Sequence, residues 1–265
     1  MNTGTPSASV IEVHHVFSTI GTTVVHEDIN LTVNRGEVFA LVGGSGSGKT
    51  VLLREIIMLG APTQGSIRVL GREVNEIDEQ GAFELRRRCG VLFQKSALFS
   101  PLTVAENVAV PLREHTNLNP ALIKEIAAMK IALVGLPPAS ASQYPHELSS
   151  SMRKRAALAR ALALDPELLF LDEPGTGIDW TSARQFDELI RQMKESLGLT
   201  VFMVTHDLDS LWRAADRVAV LGERTVRSIG TMEELSRSDD ALVRVYFDSP
   251  RGRAAWRRAH GEDAP

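Results

Sequence analysis

A glycine-rich segment is the feature of this sequence that most restricts how the chain can fold. Two apolar runs, residues 38–42 and 51–57, flank it, which predicts a buried strand, a loop and then a helix. The segment fits G-x-x-x-x-G-K-[ST], a spacing in which glycines let successive backbone N–H groups point at phosphate oxygens while the helix N-terminus adds partial positive charge. The predicted phosphate-binding residues are Gly43, Gly44, Ser45, Gly46, Ser47, Gly48, Lys49 and Thr50.

The last two residues of this segment have predicted roles of their own. Lys49 is expected to reach the terminal phosphates of a bound nucleotide, and the Thr50 hydroxyl is expected to bind Mg²⁺. One alternative is a flexible Gly/Ser turn followed by an unrelated Lys-Thr pair, and another is a different class of P-loop nucleotide-binding protein. The strand-to-helix context favours a phosphate site.

Length and charge exclude several classes of protein. A chain of 265 residues is long enough for one large domain with a subdomain or a short appendage. The formal net charge of −4 argues against a general nucleic-acid binder. Cys89 is the only cysteine, so no intramolecular disulfide forms, and we expect a cytosolic protein in which this thiol fills core space. No apolar run reaches the roughly 18 residues of a membrane span, so any membrane association is expected to be peripheral.

The spacing of apolar residues changes along the chain and divides it into regions. Residues 10–13 and 24–33 are predicted strands, and residues 17–23 are predicted to form the loop between them. From about residue 96 to 165 the pattern becomes helical. Beyond this segment strands and helices alternate again, which predicts a mostly parallel sheet covered on both faces. The basic tail, residues 246–265, either docks on the domain or remains loose.

An acidic pair, Asp172 and Glu173, follows another apolar run, residues 168–171. Hydrolysis of a bound phosphate needs a metal anchor and a group that orients or deprotonates water. We expect Asp172 to hold Mg²⁺, directly or through a water, and Glu173 to polarise the attacking water. An acidic pair at a strand end is common by chance, but its combination with a phosphate-binding segment favours a hydrolytic site.

The chain carries a series of motifs in a fixed order. They are the phosphate-binding segment, Gln94 at a strand end, Leu148-Ser149-Ser150-Ser151-Met152, Leu171-Asp172-Glu173-Pro174, Thr176-Gly177-Ile178-Asp179 and Val204-Thr205-His206-Asp207. This order resembles the ATPase subunits of ABC transporters over about residues 10–240. The resemblance implies an α/β fold: a P-loop NTPase (RecA-like) core with a mostly parallel sheet, an N-terminal antiparallel β subdomain and a helical insert. It also implies an ABC ATPase domain at residues 9–245, with a helical subdomain at about 96–165, and a C-terminal tail at 246–265.

The same resemblance implies roles that spacing alone does not establish. Gln94 is implied to sense Mg²⁺ and water and to connect the site with membrane subunits. Ser149 and Ser151 belong to the signature that closes on the nucleotide held by a second copy, and Asp179 lies at the seam of that dimer. His206 is implied to contact the γ-phosphate, although a lone histidine after a strand is more often structural. The implied catalytic residues are Glu173, His206 and Gln94, and the implied cofactors are ATP and Mg²⁺, with Thr50, Gln94 and Asp172 as metal ligands.

Three segments of the helical insert, residues 97–99, 107–116 and 152–161, carry a narrower resemblance. They resemble the ATPases of Mla-type and Mce-associated lipid transporters. This implies a homodimer that energises phospholipid transport linked to outer-membrane lipid asymmetry. It would sit peripherally on the cytoplasmic face of the inner membrane, with permease and MCE-type lipid-binding subunits as partners and no nucleic acid. The alternatives are another small-molecule cargo, a non-transport ABC protein acting on DNA or the ribosome, and a P-loop kinase.

A few positions depart from the pattern of the family. Ser150 and Ser151 stand where the signature usually has two glycines, and their Cβ atoms restrict the backbone, so we expect slower ATP turnover than with glycines. Residues 18–21 lack the aromatic ring that family members usually stack on the adenine, so the base contact is expected to be aliphatic. Trp180 follows Asp179 where proline is usual, and packing is its simplest interpretation.

Overall fold

A computed structural model describes residues 9–261 of the chain. The strands are β1 (Ser9–Ile20), β2 (Thr23–Asn34), β3 (Val38–Gly43), β4 (Gln64–Val69), β5 (Arg72–Glu73), β6 (Cys89–Leu92), β7 (Leu168–Asp172), β8 (Thr200–Val204), β9 (Arg217–Gly222) and β10 (Thr225–Gly230). The α-helices are α1 (Lys49–Ile56), α2 (Glu79–Arg87), α3 (Val104–His115), α4 (Pro120–Leu133), α5 (Ser150–Ala161), α6 (Trp180–Leu197), α7 (Leu208–Ala214), α8 (Met232–Ser236), α9 (Ala241–Phe247) and α10 (Pro250–His260).

The central sheet has the strand order β10-β9-β3-β8-β7-β6, and every neighbouring pair in it is parallel except β9 with β10. Both faces are buried, as expected for strands that read as continuous apolar runs. On β3, Val38 and Ala40 pack toward α6 and the helical insert, whereas Phe39 and Leu41 pack toward α1 and the second sheet. The predicted mostly parallel sheet is therefore confirmed.

A second, antiparallel sheet has the strand order β2-β1-β4-β5 and packs beside the central one. The predicted loop at residues 17–23 was wrong, because β1 continues to Ile20 and β2 begins at Thr23. The hairpin turn contains only residues 21 and 22, and Gly21 there has a φ of 60°. The buried residue of this stretch is the polar Ser18, so the sequence does not show the alternation of apolar and polar residues that marks a strand.

The chain between β6 and β7 is helical, with α3, α4, α5 and two short 3₁₀ helices at Pro138–Ser142 and Pro145–Glu147. The sequence sets the helix starts through side-chain caps. Thr103 and Glu106 form a reciprocal capping box at α3, and Asn119 caps α4, whose first residue is Pro120. These caps satisfy backbone N–H groups that have no partner within the helix.

The C-terminal part of the described chain docks on the domain. Arg258 of α10 donates two hydrogen bonds of 2.8 Å to the Asp209 carboxylate of α7, and the His260 ring lies edge-on to Trp212. The predicted tail therefore begins inside α9 and includes a helix that packs on α7. Within residues 9–261, no helix combines the length and the apolarity needed to cross a membrane.

Candidate functional site

The phosphate-binding segment forms the loop between the end of β3 and the start of α1. Gly46 and Gly48 have φ angles of 77° and 94°, in the left-handed region that glycine adopts without strain. A Cβ atom on Gly48 would lie 2.4 Å from the His26 ring nitrogen. Glycine is therefore required at this position both for its backbone conformation and for the close approach of β2.

The Lys49 side chain folds back over this loop. Its ammonium donates hydrogen bonds of 2.8 Å and 2.9 Å to the carbonyl oxygens of Gly43 and Gly44. Burial lowers the pKa of Lys49, and the negative charges of Glu173 and Asp172 oppose that shift. Lys49 is therefore close enough to Asp172 and Glu173 for their charges to act on it.

The sheet brings the loop and the acidic pair together. Leu41 of β3 pairs with Val204 of β8, and Val204 pairs in turn with Asp172 of β7. Because all three strands are parallel, their carboxyl ends lie at the same edge of the sheet, where ligands bind in open α/β folds. The backbone N–H of Glu173 donates to the Val204 carbonyl at 2.8 Å, which continues this register one residue beyond β7.

Asp172 is buried at this edge, and its carboxyl group has a raised pKa. Burial is the main cause and the charge of Glu173 the second, whereas Lys154, Arg54 and Lys49 act in the opposite direction. Since Arg54 and Lys49 both belong to α1, the first turns of that helix lie beside Asp172. Thr50 is the second residue of α1 and is exposed.

The oxygen donors at this place suit Mg²⁺. Mg²⁺ prefers hard oxygen ligands and is typically held by one or two carboxylates together with substrate phosphates. The Asp172 carboxylate at the end of β7 and the Thr50 hydroxyl in the first turn of α1 are donors of this kind. Gln94, two residues after β6, is exposed, and its side-chain amide oxygen is a donor of the same class.

Glu173 and His206 form a direct pair. The His206 Nδ1 atom lies 2.8 Å from the Glu173 carboxylate, at the end of β8 beside β7. Glu173 has a φ of 48°, a left-handed conformation that is unusual for a residue with a side chain. Its backbone is fixed there by the bond to Val204 and by the Thr176 N–H, which donates to the Glu173 carbonyl at 3.2 Å. A strained backbone of this kind is found mostly at functional sites, and here it lies at the end of β7 beside His206.

Lys154 is a site residue that the sequence-based prediction missed. It lies on α5, is only 4% exposed, and donates from Nζ to the carbonyl oxygens of Gln94 at 2.6 Å and of Glu173 at 3.3 Å. It therefore joins Gln94 beyond β6 and Glu173 beyond β7 to the signature helix α5. The available signal was its helical spacing from the apolar residues Ala157 and Leu158, which places it on the buried face of α5.

The signature residues cap the N-terminus of α5. The Ser149 hydroxyl accepts a hydrogen bond from the Met152 N–H at 3.2 Å and lies 3.1 Å from the Ser151 hydroxyl. Asp179 caps α6 in the same way, since its carboxylate accepts bonds from the Ser182 N–H and hydroxyl. Within the described residues, these hydrogen bonds remain at the helix ends and do not reach the phosphate loop.

Sequence similarity identifies the family of this chain. Residues 26–176 match ABC_tran, described as ABC transporter. The chain is 41% identical over 235 residues to the intermembrane phospholipid transport system ATP-binding protein MlaF of Haemophilus influenzae, covering 89% of each chain. It is 37% identical over 248 residues to the probable ribonucleotide transport ATP-binding protein mkl of Mycobacterium tuberculosis, covering 94% of this chain and 69% of that relative.

Structural similarity agrees with the sequence. A solved dimeric post-hydrolysis state of an ATP-binding cassette bound to ADP and Pi matches this chain with a TM-score of 0.77 and 27% identity. The match covers 84% of this chain and 98% of that structure, so it confirms the predicted fold class. This chain belongs to the ABC transporter family, as a nucleotide-binding subunit that hydrolyses ATP.

Proposed function

We propose that two copies of this chain bind and hydrolyse Mg·ATP and thereby energise phospholipid transport by membrane subunits. The observation that carries the catalytic part is that Lys49, Asp172 and Glu173 share one edge of the central sheet. The carboxylates and the lysine are the groups that hydrolysis of a terminal phosphate requires. We assign this machinery to an ABC ATPase domain at residues 9–245.

Each group at the edge has a distinct task. The backbone N–H groups of residues 43–50 bind the phosphates, and Lys49 exchanges its bonds with the loop carbonyls for phosphate oxygens. Asp172 and Thr50 would hold Mg²⁺, with Gln94 as a further ligand, and the bound ion would supply positive charge to offset the negative charge of the phosphates. Glu173 orients the attacking water, and His206 holds the carboxylate in place through its 2.8 Å contact and reaches the γ-phosphate.

A second copy completes the site. The exposed N-terminal ends of α5 and α6 carry Ser149, Ser151 and Asp179. Within the described residues, the hydrogen bonds of these side chains stay at the helix ends and do not reach the phosphate loop of the same chain. We assign them to the nucleotide bound by the other copy, because a helix N-terminus offers backbone N–H groups to a phosphate. The dimeric state of the similar cassette bound to ADP and Pi supports this arrangement.

The membrane partners are proposed from the helical segment. We assign residues 96–165 to a helical subdomain that contacts permease subunits near Gln94, on the cytoplasmic face of the inner membrane. The tail at residues 246–265 is an appendage to the ATPase domain, and its helix α10 docks on α7. An MCE-type lipid-binding subunit completes the transporter, and no nucleic acid is involved. Support comes from the similarity to MlaF, whose name places it in intermembrane phospholipid transport.

The cargo has one specific competitor. The mycobacterial relative is named as a probable ribonucleotide transport protein, and the similarity to it covers a slightly larger share of this chain than the similarity to MlaF. Phospholipid is the proposal because the identity to MlaF is higher, 41% against 37%, and the match covers 89% of that relative against 69%.

Reconstitution of the transporter tests this function. The tagged chain is purified from membranes with its bound subunits and placed in vesicles that contain either fluorescent phospholipid or labelled ribonucleotide. We expect ATP-dependent movement of phospholipid, abolished by Glu173→Gln and retained by Glu195→Gln, which changes an exposed carboxylate on α6 that pairs with Arg191 one turn away. Movement of ribonucleotide without phospholipid would overturn the cargo, and recovery of the chain without any membrane protein would overturn the partners.

A further inference from the structure

Three polar side chains lie buried beneath the phosphate loop, where the hydrolytic mechanism uses none of them. His26 of β2 is 0% exposed, Ser18 of β1 is 2% exposed and Glu55 of α1 is 3% exposed. Burying a polar group costs free energy unless it is hydrogen-bonded, so a cluster of three is retained at a cost. The cluster joins both strands of the β1–β2 hairpin to the helix that begins at the phosphate loop.

The hydrogen bonds of His26 have defined directions. Its Nε2 atom lies 3.2 Å from the carbonyl oxygen of Gly48, and its Nδ1 atom lies 3.0 Å from the Ser18 hydroxyl. A carbonyl oxygen only accepts, so Nε2 carries the proton and donates to Gly48. In the neutral ring Nδ1 is then the acceptor, and the Ser18 hydroxyl donates to it.

Glu55 is the third buried polar group of this cluster and lies next to His26. Its Oε2 atom lies 3.8 Å from His26 Nδ1 and has no hydrogen-bond partner among the described residues. Burial raises the pKa of Glu55 and lowers the pKa of His26, and both shifts oppose the formation of an ion pair between them. The Ser18 hydroxyl interacts with the Glu55 carboxyl group. The series that reaches the loop is therefore Ser18 donating to His26 and His26 donating to Gly48.

The end of this series of bonds determines the orientation of one peptide group. Gly48 has a φ of 94°, and its carbonyl also accepts the first helical bonds of α1 from Val51 at 2.9 Å and Leu52 at 3.0 Å. Because the peptide bond is planar, fixing the Gly48 carbonyl also fixes the N–H of Lys49 on its opposite side. That N–H belongs to the set that the loop presents to phosphate.

We propose that His26 is a positioning residue that holds the Gly48–Lys49 peptide in its phosphate-binding orientation through a hydrogen bond from Nε2. The inference rests on the proposed binding of nucleotide by this loop. An apolar side chain of similar size would fill the same space but would leave the Gly48 carbonyl held only by the helical bonds from Val51 and Leu52. The peptide could then tilt more easily, since glycine has a wide choice of backbone conformations. We therefore expect His26 to contribute to nucleotide affinity through the Nε2–H hydrogen-bond donor and not through the volume of its ring.

Two amide substitutions separate the donor from the volume. Glutamine places its side-chain N–H₂ near the position of His Nε2, whereas asparagine reaches only the position of Nδ1. We expect the full-length His26→Gln chain to bind ADP within about twofold of the wild type. We expect His26→Asn to bind it roughly three- to tenfold more weakly, the range of one neutral hydrogen bond. In the assembled transporter, the KM for ATP should rise by the same factor in His26→Asn while kcat changes by less than about twofold.

Calorimetric titration with ADP tests this role of His26. The melting temperature of each unliganded variant measures its folding. Equal ADP affinities for the Asn and Gln variants would overturn the role of His26, as would a loss of affinity that only follows a loss of stability. Should His26→Asn fail to fold, Ser18→Ala serves instead: weaker ADP binding supports the proposal, and wild-type affinity contradicts it. Absence of ADP binding by the wild-type chain would refute nucleotide binding itself, which is a different result.

Discussion

Replacing Lys154 by methionine removes a buried ammonium group while keeping most of the volume of the side chain. Lys154 Nζ donates to the carbonyl oxygens of Gln94 and Glu173, so the substitution leaves two carbonyl groups without that donor. It also removes the positive charge that contributes most to lowering the pKa of Asp172. The prediction concerns both the stability of the chain and the geometry of the hydrolytic edge.

The size of the effect follows from these contacts. A hydrogen bond that involves a charged group contributes about 1.5–3 kcal/mol, so the loss of two costs roughly 3–6 kcal/mol. Burial of the lysine itself is unfavourable, since it lowers the pKa of the ammonium, and methionine relieves that cost. We therefore expect a net destabilisation of about 2 kcal/mol, or a melting temperature lower by roughly 4–8 °C for a chain of this size.

Activity should fall by more than stability explains. Without Lys154 the backbone of Glu173, with its φ of 48°, loses one of its anchors, and we expect the ATPase rate to fall by about tenfold or more at a temperature where the chain is folded. Lys124→Met, at an exposed lysine on α4, is the matched control. A Lys154→Met chain that melted within about 1 °C of the wild type and hydrolysed ATP at the wild-type rate would refute the reasoning.

Three further predictions concern the signature, the thiol and a buried ion pair. In the assembled transporter, Ser150→Gly with Ser151→Gly should raise the ATPase rate, because both Cβ atoms are removed from the signature backbone, and an unchanged or lower rate would count against this. Burial raises the pKa of Cys89 from 9.0 to about 12, so a thiol reagent at pH 8 should label the native chain about a thousandfold more slowly than the unfolded chain; equal labelling rates would contradict the burial. Asp187→Ala should destabilise the chain by about 3 kcal/mol in denaturant titration, because Arg213 loses a buried carboxylate at 2.7 Å, and a change below about 1 kcal/mol would be inconsistent with that pair.

The parallel core could be predicted because its strands carry a strong local signal. The runs at β3, β7 and β8 are apolar throughout, and their flanking turns set the positions of the loop and the acidic pair. The elements that were not predicted have weak local patterns. α2 buries only Ala82 and Leu85, and β10 is largely half-buried, so neither shows a clear apolar period.

The candidate site likewise has residues that could be predicted from the sequence and residues that could not. Local motifs indicated the phosphate loop and the acidic pair, since each motif lies within a few residues. The contacts of Lys154 and His26 join residues that are far apart in the chain, and both side chains are polar groups on buried faces. A prediction from the sequence that treats every polar residue as exposed puts both side chains on the solvent-facing side of their strand or helix. Their hydrogen-bond partners become evident only from the way β2 and α5 pack in the structure.

The central claim is that Lys49, Asp172 and Glu173 surround one metal-bound triphosphate. It is tested most directly by calorimetric titration of the full-length chain with Mg·ATP, with the hydrolysis rate measured on the same preparations. We expect Glu173→Gln to bind Mg·ATP within about threefold of the wild type while hydrolysis falls by about a hundredfold or more. Lys49→Ala should bind much more weakly. Hydrolysis by Glu173→Gln at the wild-type rate, or no heat of binding from either the wild type or Glu173→Gln, would contradict the account.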